Sequence, residues 1–181
     1  MDIATVCYTP ELHLLKLQAR SMSRHLESSG VGKIWIILNE PDPRRAARYF
    51  DRHIAPEYGS HLAKVELLVR DDVAQGLPED NGSRTQQVLK LRIADRILEN
   101  NYLVLDAKNH FVRKVSAASF FNEASCYLGW RTNHRRGGRH ERLFRTAYAY
   151  FGLDPEPFIN SSPATVTPFG IRTSRAMSLV D

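Results

Sequence analysis

A chain of 181 residues, 43% hydrophobic and 25% charged, is long enough for one domain with a real core and has the make-up of an ordinary globular protein. No run approaches the ~20 apolar residues a membrane span needs, and the amino terminus lacks a charged region followed by an apolar one, so the expected location is the cytoplasm. A formal net charge of +5 and a pI of about 9.4 suit an anionic partner, be it a nucleoside diphosphate, an acidic glycan, a phospholipid surface or nucleic acid. The two cysteines, Cys7 and Cys126, have neither zinc nor redox spacing and read as buried thiols.

Ile3 to Tyr8 is a short β-branched run stopped by Thr9-Pro10. Leu12, Leu15, Ala19, Met22 and Leu26 then recur at helical steps, which predicts an amphipathic helix with Thr9 as N-cap and Pro10 at its first position, ended by Gly30 and Gly32. Lys33 to Leu38 is continuously apolar after its first residue, as a parallel strand covered on both faces would be, and leaves Asn39 at a strand end. Pro41-Asp42-Pro43 opens a second helix to about His53, whose Arg44, Arg45, Arg48 and Arg52 read as a solvated face. Ala63 to Val69 is a third strand, and Asp71 to Ser83 a loop that could serve as a lid.

A helix from Arg84 to Asn100 is expected to bury Leu89, Ile93, Ala94, Ile97 and Leu98. Gln86 and Gln87 lie four and three residues before Lys90, so the three could present amides and an ammonium to one ligand. Tyr102 to Leu105 is a short buried strand that gives way abruptly to Asp106-Ala107-Lys108-Asn109-His110, and open α/β sheets take their ligands at such strand ends. A short return strand is expected near Phe111 to Val115, then a small helix at Ala117 to Asn122. Arg131, Arg135, Arg136, Arg139, Arg142 and Arg145 follow with Glu141 as the one acid among them, and a helix from about Arg139 to Phe151 should turn Leu143, Ala147 and Tyr150 or Phe151 inward. After Asp154-Pro155-Glu156-Pro157 comes a helix-like stretch from Thr173 to Val180, and the chain stops inside it, as a truncated protein would.

The order helix, strand, Asp106, short second strand resembles the GT-A glycosyltransferases, in which an Asp-x-Asp element after a hydrophobic strand holds a divalent ion against the donor's diphosphate. Asp106-Ala107-Lys108 departs from that element at its second acid. Thr85 to Leu91 before it and His110 to Arg113 after it are similar to a bacterial family of GT-A-like proteins of unknown function. The resemblance covers roughly residues 3 to 115. It implies an α/β fold with a Rossmann-like, mostly parallel sheet and helices on both faces, with a nucleotide-binding part over about 1–115 and an acceptor or basic part over about 116–181. It implies too that Tyr8, Thr9, Pro10 and Asn39 approach the nucleotide and that Thr167-Pro168 returns towards the acceptor side.

The chemistry expected from that resemblance is transfer of a sugar, hexosyltransferase-like, from a nucleotide-sugar donor to a glycan or glycoconjugate acceptor in surface polysaccharide synthesis. Asp106 and Lys108 are the expected catalytic pair, and Gln86, Gln87, Lys90, Asp106 and Asn109 the donor-binding set. Two arrangements stand open. Mg2+ or Mn2+ could sit on Asp106 with Asn109 or a downstream group. Alternatively Lys108, Lys90 and an arginine from 131–145 neutralise the diphosphate without metal, and Asp106 holds a ribose or sugar hydroxyl. Glu123, Asp154 and Glu156 are unranked candidates for an acceptor base. The competing readings are a nucleic-acid-binding module using the 131–145 arginines on phosphates, the weaker of the two, and a nucleotide-sugar-binding domain without turnover. Peripheral contact with the inner face of an anionic membrane fits the charge. No G-x-G-x-x-G, Walker A or G-x-S-x-G pattern is present.

Overall fold

The computed structural model describes residues 1–78, 82–122, 131–132, 138–158, 162–163 and 167–180. The chain divides into two compact units, one of residues 1–128 with 167–181 and the other of 129–166.

The first unit is built on a five-stranded sheet. Its strands β1 (Asp2–Cys7), β2 (Ile34–Leu38), β3 (Val65–Val69) and β4 (Asn101–Asp106) run parallel in the order β3-β2-β1-β4. The first unit's helices are α1 (Leu12–His25), α2 (Arg44–His53), the single turn α3 (Arg70–Val73), α4 (Gly82–Arg92) and, near the end of the chain, Thr173–Val180. Because successive strand residues point to opposite faces, β1 feeds two cores. Ile3 and Cys7 pack with Leu15, Met22, Phe50, Tyr58 and Leu105 under α1 and α2, while Ala4 and Val6 pack with Leu89, Ile93, Tyr102 and Ala176 on the other face. Each fully buried aliphatic side chain contributes about 2 kcal/mol. The expected α/β, mostly parallel Rossmann-like sheet with helices on both faces is thus what the chain forms.

The sheet departs from expectation at one edge. Phe111 to Val115 is no strand; Val115 makes a single parallel bridge to Leu26. β4 takes its outer neighbour from Phe169–Arg172, which runs antiparallel with Val104 opposite Phe169. That pairing returns Thr167 and the residues after it to the first unit, which the chain leaves after residue 128.

Several element ends also differ. Thr9 is no N-cap: Thr9–Glu11 form a 3-10 turn preceded by Tyr8, without a side-chain cap, and α1 begins after it. α1 stops at His25, five residues before the φ of +78° at Gly30. Ala55–Lys64 forms 3-10 turns kinked at Gly59 (φ +55°), so the third strand starts two residues later than expected. Its Glu57 receives a bidentate pair from Arg20 at 2.6 and 2.8 Å, which brings the carboxyl down to about 2. The helix expected to Asn100 is α4 followed by a 3-10 turn, Ile93–Arg96; Ile97 then turns extended, and Leu98 leaves the buried stripe to stand 99% exposed. Near Ala117 only a 3-10 turn forms, Ala117–Ser119.

In the second unit, a two-stranded antiparallel pair joins β5 (Arg131–Thr132) to β6 (Ser162–Pro163). The edge strand Phe169–Arg172 is therefore β7. Here α5 (Arg139–Tyr150) shows its expected inward face outward, with Leu143, Ala147, Tyr150 and Phe151 exposed, and half-buries Phe144 and Tyr148, whose rings lie 4.3 Å apart. The helix between Thr173 and Val180 is α6. Among the described residues no helix is long and apolar enough to cross a membrane.

Candidate functional site

β4 is buried from Asn101 to Leu105 and delivers Asp106 half-buried at its carboxyl end. The chain then reverses in a turn that Asn109 closes twice, its N–H donating to the Asp106 carbonyl at 2.9 Å and its Oδ1 accepting the Asp106 N–H at 2.7 Å. Gln18 of α1, fully buried, braces the turn from below. Its amide nitrogen donates to the carbonyls of Asp106 (2.8 Å) and Asn109 (3.1 Å), and its Oε1 accepts the Thr5 hydroxyl at 3.0 Å. Ala107 is buried and Lys108 points outward, its side chain 69% exposed.

The Asp106 carboxylate has a partner on each oxygen. Lys90 Nζ donates to Oδ1 at 2.7 Å and the Thr167 hydroxyl to Oδ2 at 2.7 Å, with Lys108 Nζ 3.6 Å from Oδ2. Lys90 is held for this task, its side chain 8% exposed and its carbonyl accepting the Tyr102 hydroxyl at 2.9 Å. Burial pushes the Asp106 carboxyl up, but the hydrogen bonds from Lys90 and Thr167 and the charges of Lys90 and Lys108 outweigh it and hold the group below its ordinary value. Glu11 senses the same cluster. Burial and the negative charge of Asp106 raise its carboxyl, partly offset by Lys108, Lys90 and His13.

Beside this centre, at the carboxyl ends of β1 and β2, lies a cleft of about 500 Å³ lined by Tyr8, Glu11, Asn39, Glu40, Gly82 and Gln86. Asn39 is fixed there by its N–H to the Cys7 carbonyl (2.8 Å), and its side-chain amide reaches the Gly82 carbonyl at 3.5 Å. The Thr9 N–H donates to Glu40, which secures the turn under Tyr8.

Of the expected donor set, Tyr8, Asn39 and Gln86 come together in the cleft. Thr9 lines a separate groove with Leu12 and Tyr49, and Pro10 sits in the turn between the two. Gln86, Gln87 and Lys90 do not converge on one ligand: Gln87 is exposed outside the cleft, and Lys90 turns in to Asp106. Asn109 spends its side chain on the turn and, through Nδ2, on the Thr167 carbonyl at 3.3 Å. Glu123 and Cys126 lie outside the described residues. Asp154 and Glu156 are exposed in the second unit, Glu156 paired with Arg145 at 2.7 Å. Cys7 is buried with its thiol pushed up to about 12 by burial and the nearby acids Glu11 and Glu40, out of reach of thiolate chemistry.

Glu11, Gln18 and Glu40 escaped the sequence reading. Gln18 carried a signal, a polar residue inside the buried stripe of Leu15, Ala19 and Met22; Glu11 and Glu40 did so only as acids next to strand ends. Both oxygens of Asp106 already accept donors, two ammonium groups stand within 3.6 Å, and the described residues hold no cluster of three or more metal-ligating side chains.

The strand order defines an α/β protein whose polar centre stands at the carboxyl ends of β1, β2 and β4, the place where open α/β sheets take their ligands. The chain belongs to a family of unknown function, DUF6492, whose model matches residues 5–180. No curated protein matches it significantly. Solved structures similar to it include glycosyltransferases. The glycosyltransferase GlyE of Streptococcus pneumoniae TIGR4 is 14% identical over 59% of this chain and 23% of its own, with a TM-score of 0.37. An active-site mutant of LgtC is 14% identical over 59% and 37%, with a TM-score of 0.41. Mouse xyloside xylosyltransferase 1 is 13% identical over 99% of this chain and 69% of its own, with a TM-score of 0.49. The chain thus spans about a quarter of GlyE and under two fifths of LgtC, and its fold is read from its own strand order.

Proposed function

We propose that this chain is a glycosyltransferase that uses a nucleotide-sugar donor and needs no metal ion. The observation that carries this reading is the carboxylate of Asp106, held at the end of β4 between Lys90 and Thr167 with Lys108 3.6 Å away. Transfer of a glycosyl group breaks the bond between the anomeric carbon and the diphosphate, and the negative charge left on the diphosphate must be met by fixed positive charge. Lys108, exposed beside the site, is the residue for that role. Lys90 keeps Asp106 ionised and oriented, so that the carboxylate can accept a hydroxyl of the donor. The cleft supports the base and ribose end of the donor, with Tyr8 offering a ring for stacking, Asn39 and Gln86 amides, and Glu11 a carboxyl for ribose hydroxyls. The acceptor is a glycan or glycoconjugate, of the kind made at the inner face of a membrane during surface polysaccharide synthesis.

The test is thermal stabilisation by a panel of nucleoside diphosphates and nucleotide sugars, each with manganese and with chelator, since a ligand selective for the folded state raises its stability. The expected result is a shift with one nucleotide that survives chelator and disappears in Asp106→Ala, with Lys108→Ala lowering turnover by about 100-fold. No shift with any nucleotide, or wild-type turnover in Asp106→Ala, would overturn the assignment.

A further inference from the structure

Helix α2 buries Ala46 and Phe50 and leaves Arg44, Arg45, Arg48 and Arg52 exposed along with Tyr49 and His53. At about 100° per residue the four arginines fall within an arc of about 100° on one side of the helix. Tyr49 lies about 40° past the Arg45 edge of that arc and His53 about 40° further round, their rings 4.8 Å apart. Among the described residues none of the four arginines has a salt-bridge partner. The acids of the segment are Asp42, which accepts the Arg44 backbone N–H at 3.3 Å, and the exposed Asp51, about 20° past the edge of the arc on the side of Arg44.

Unpaired arginines alone are an ordinary solvated face. What sets this face apart is the groove of about 340 Å³ at its border, between the start of α1 and α2. Its floor is apolar, made by Leu12 and Ala46 at 6% and 2% exposure, and its rim carries Thr9, His13, Arg45 and Tyr49. Four cations beside an apolar slot, with a tyrosine between them, match a ligand that carries anionic head groups above hydrocarbon.

We infer that this face of α2 docks on an anionic phospholipid surface, the arginines on lipid phosphates, Tyr49 at head-group depth and the groove over the first methylenes of a lipid chain. A nucleic-acid backbone would engage the arginines and leave the apolar groove without an occupant. The docking does not depend on the transfer reaction. Thr9 of the groove and Glu11 of the cleft belong to the same 3-10 turn, so if both hold, the acceptor meets the donor from the membrane side.

Co-sedimentation of the full chain with vesicles tests this. Binding is expected with phosphatidylcholine vesicles containing about 30% phosphatidylglycerol, not with phosphatidylcholine alone, and is expected to fall steeply between about 0.1 and 0.5 M salt. Each arginine near the surface accounts for about fivefold in partition, so the triple variant Arg44→Gln, Arg48→Gln, Arg52→Gln should bind about 100-fold more weakly. These side chains are exposed, so its melting temperature should be unchanged, as should its stabilisation by nucleotide. Tyr49→Ala should weaken vesicle binding several-fold and leave binding to polyphosphate as it was. The inference is overturned if wild type binds neutral and anionic vesicles alike or binds neither. It is equally overturned if the triple variant binds like wild type, which would move the contact to the arginines of 131–145, or if duplex nucleic acid displaces the vesicles through the same arginines. A nucleotide shift without vesicle binding would leave the donor site standing and remove only the docking face.

Discussion

Replacing Lys90 by methionine should destabilise the fold by an amount that depends on pH. The substitution keeps much of the apolar stem and removes the ammonium 2.7 Å from Asp106 Oδ1. Breaking one partner of a fully buried ion pair costs about 3–5 kcal/mol. Here the Asp106 side chain is 25% exposed and Lys108 stands 3.6 Å from its other oxygen, so a smaller cost than that, about 2–3 kcal/mol, is expected. For a chain of this size that corresponds to a fall of about 5–10 °C in Tm. The folded Asp106 carboxyl titrates below its ordinary value of 3.8, so its ionised form stabilises the fold above that pH, and the contribution is lost as pH falls through the folded value. The difference between wild type and Lys90→Met should therefore be complete at neutral pH and shrink as the pH drops below about 4. Thermal unfolding followed by circular dichroism at a series of pH values measures it, and the double variant Lys90→Met, Asp106→Leu should recover most of the loss. Equal melting temperatures at neutral pH, or a gap that does not narrow in acid, would refute the claim that Lys90 exists to hold this carboxylate charged.

Gln18→Leu fills the space but strips hydrogen bonds from the carbonyls of Asp106 and Asn109. A cost of about 2–3 kcal/mol is expected in chemical denaturation, together with loss of the nucleotide-induced thermal shift. Thr167→Val removes one hydroxyl donor from the half-buried carboxylate and should cost about 1 kcal/mol at neutral pH, again less in acid, by thermal melts across pH. Gly59→Ala should cost about 1–3 kcal/mol in the same melts: its φ of +55° is unfavourable for alanine, and the new Cβ would run into the Ser23 hydroxyl. Wild-type stability in that variant would mean the kink after Tyr58 can relax.

The parallel sheet was legible because Ile34–Leu38 and the stretch from Tyr102 to Leu105 are continuous apolar runs, and Asp106 stood out because it follows directly on the second. β7 was not legible. Phe169–Arg172 is four residues long, contains Gly170 and pairs with a strand more than sixty residues earlier, and no local period records such a partner. Spacing put Gln86 and Lys90 on one side of α4 correctly, but cannot tell whether that side looks at a ligand or at a buried carboxylate. The strand below decides, and it turns Lys90 inward while Gln86 stays at the cleft. α5 misled for a different reason. Both of its faces carry large apolar side chains, so periodicity alone could not choose between Leu143 with Tyr150 and Phe144 with Tyr148. Leu98 looked like the next core position only as long as the helix was assumed to continue.

The hydroxyl that completes the Asp106 carboxylate arrives across a separation of 61 residues, after the chain has left the first unit and come back. Closure entropy grows only with the logarithm of loop length, so doubling such an excursion costs about 0.6 kcal/mol. By that measure the closure of the sheet edge depends little on the length of the stretch between Leu128 and Thr167. The Asp106 centre fixed by β4 and α4 can be kept while that excursion is lengthened, shortened or exchanged, provided residues 167–172 still reach the edge of β4. A change that prevents their return would do two kinds of harm at once, opening a sheet edge and leaving the central acid one donor short.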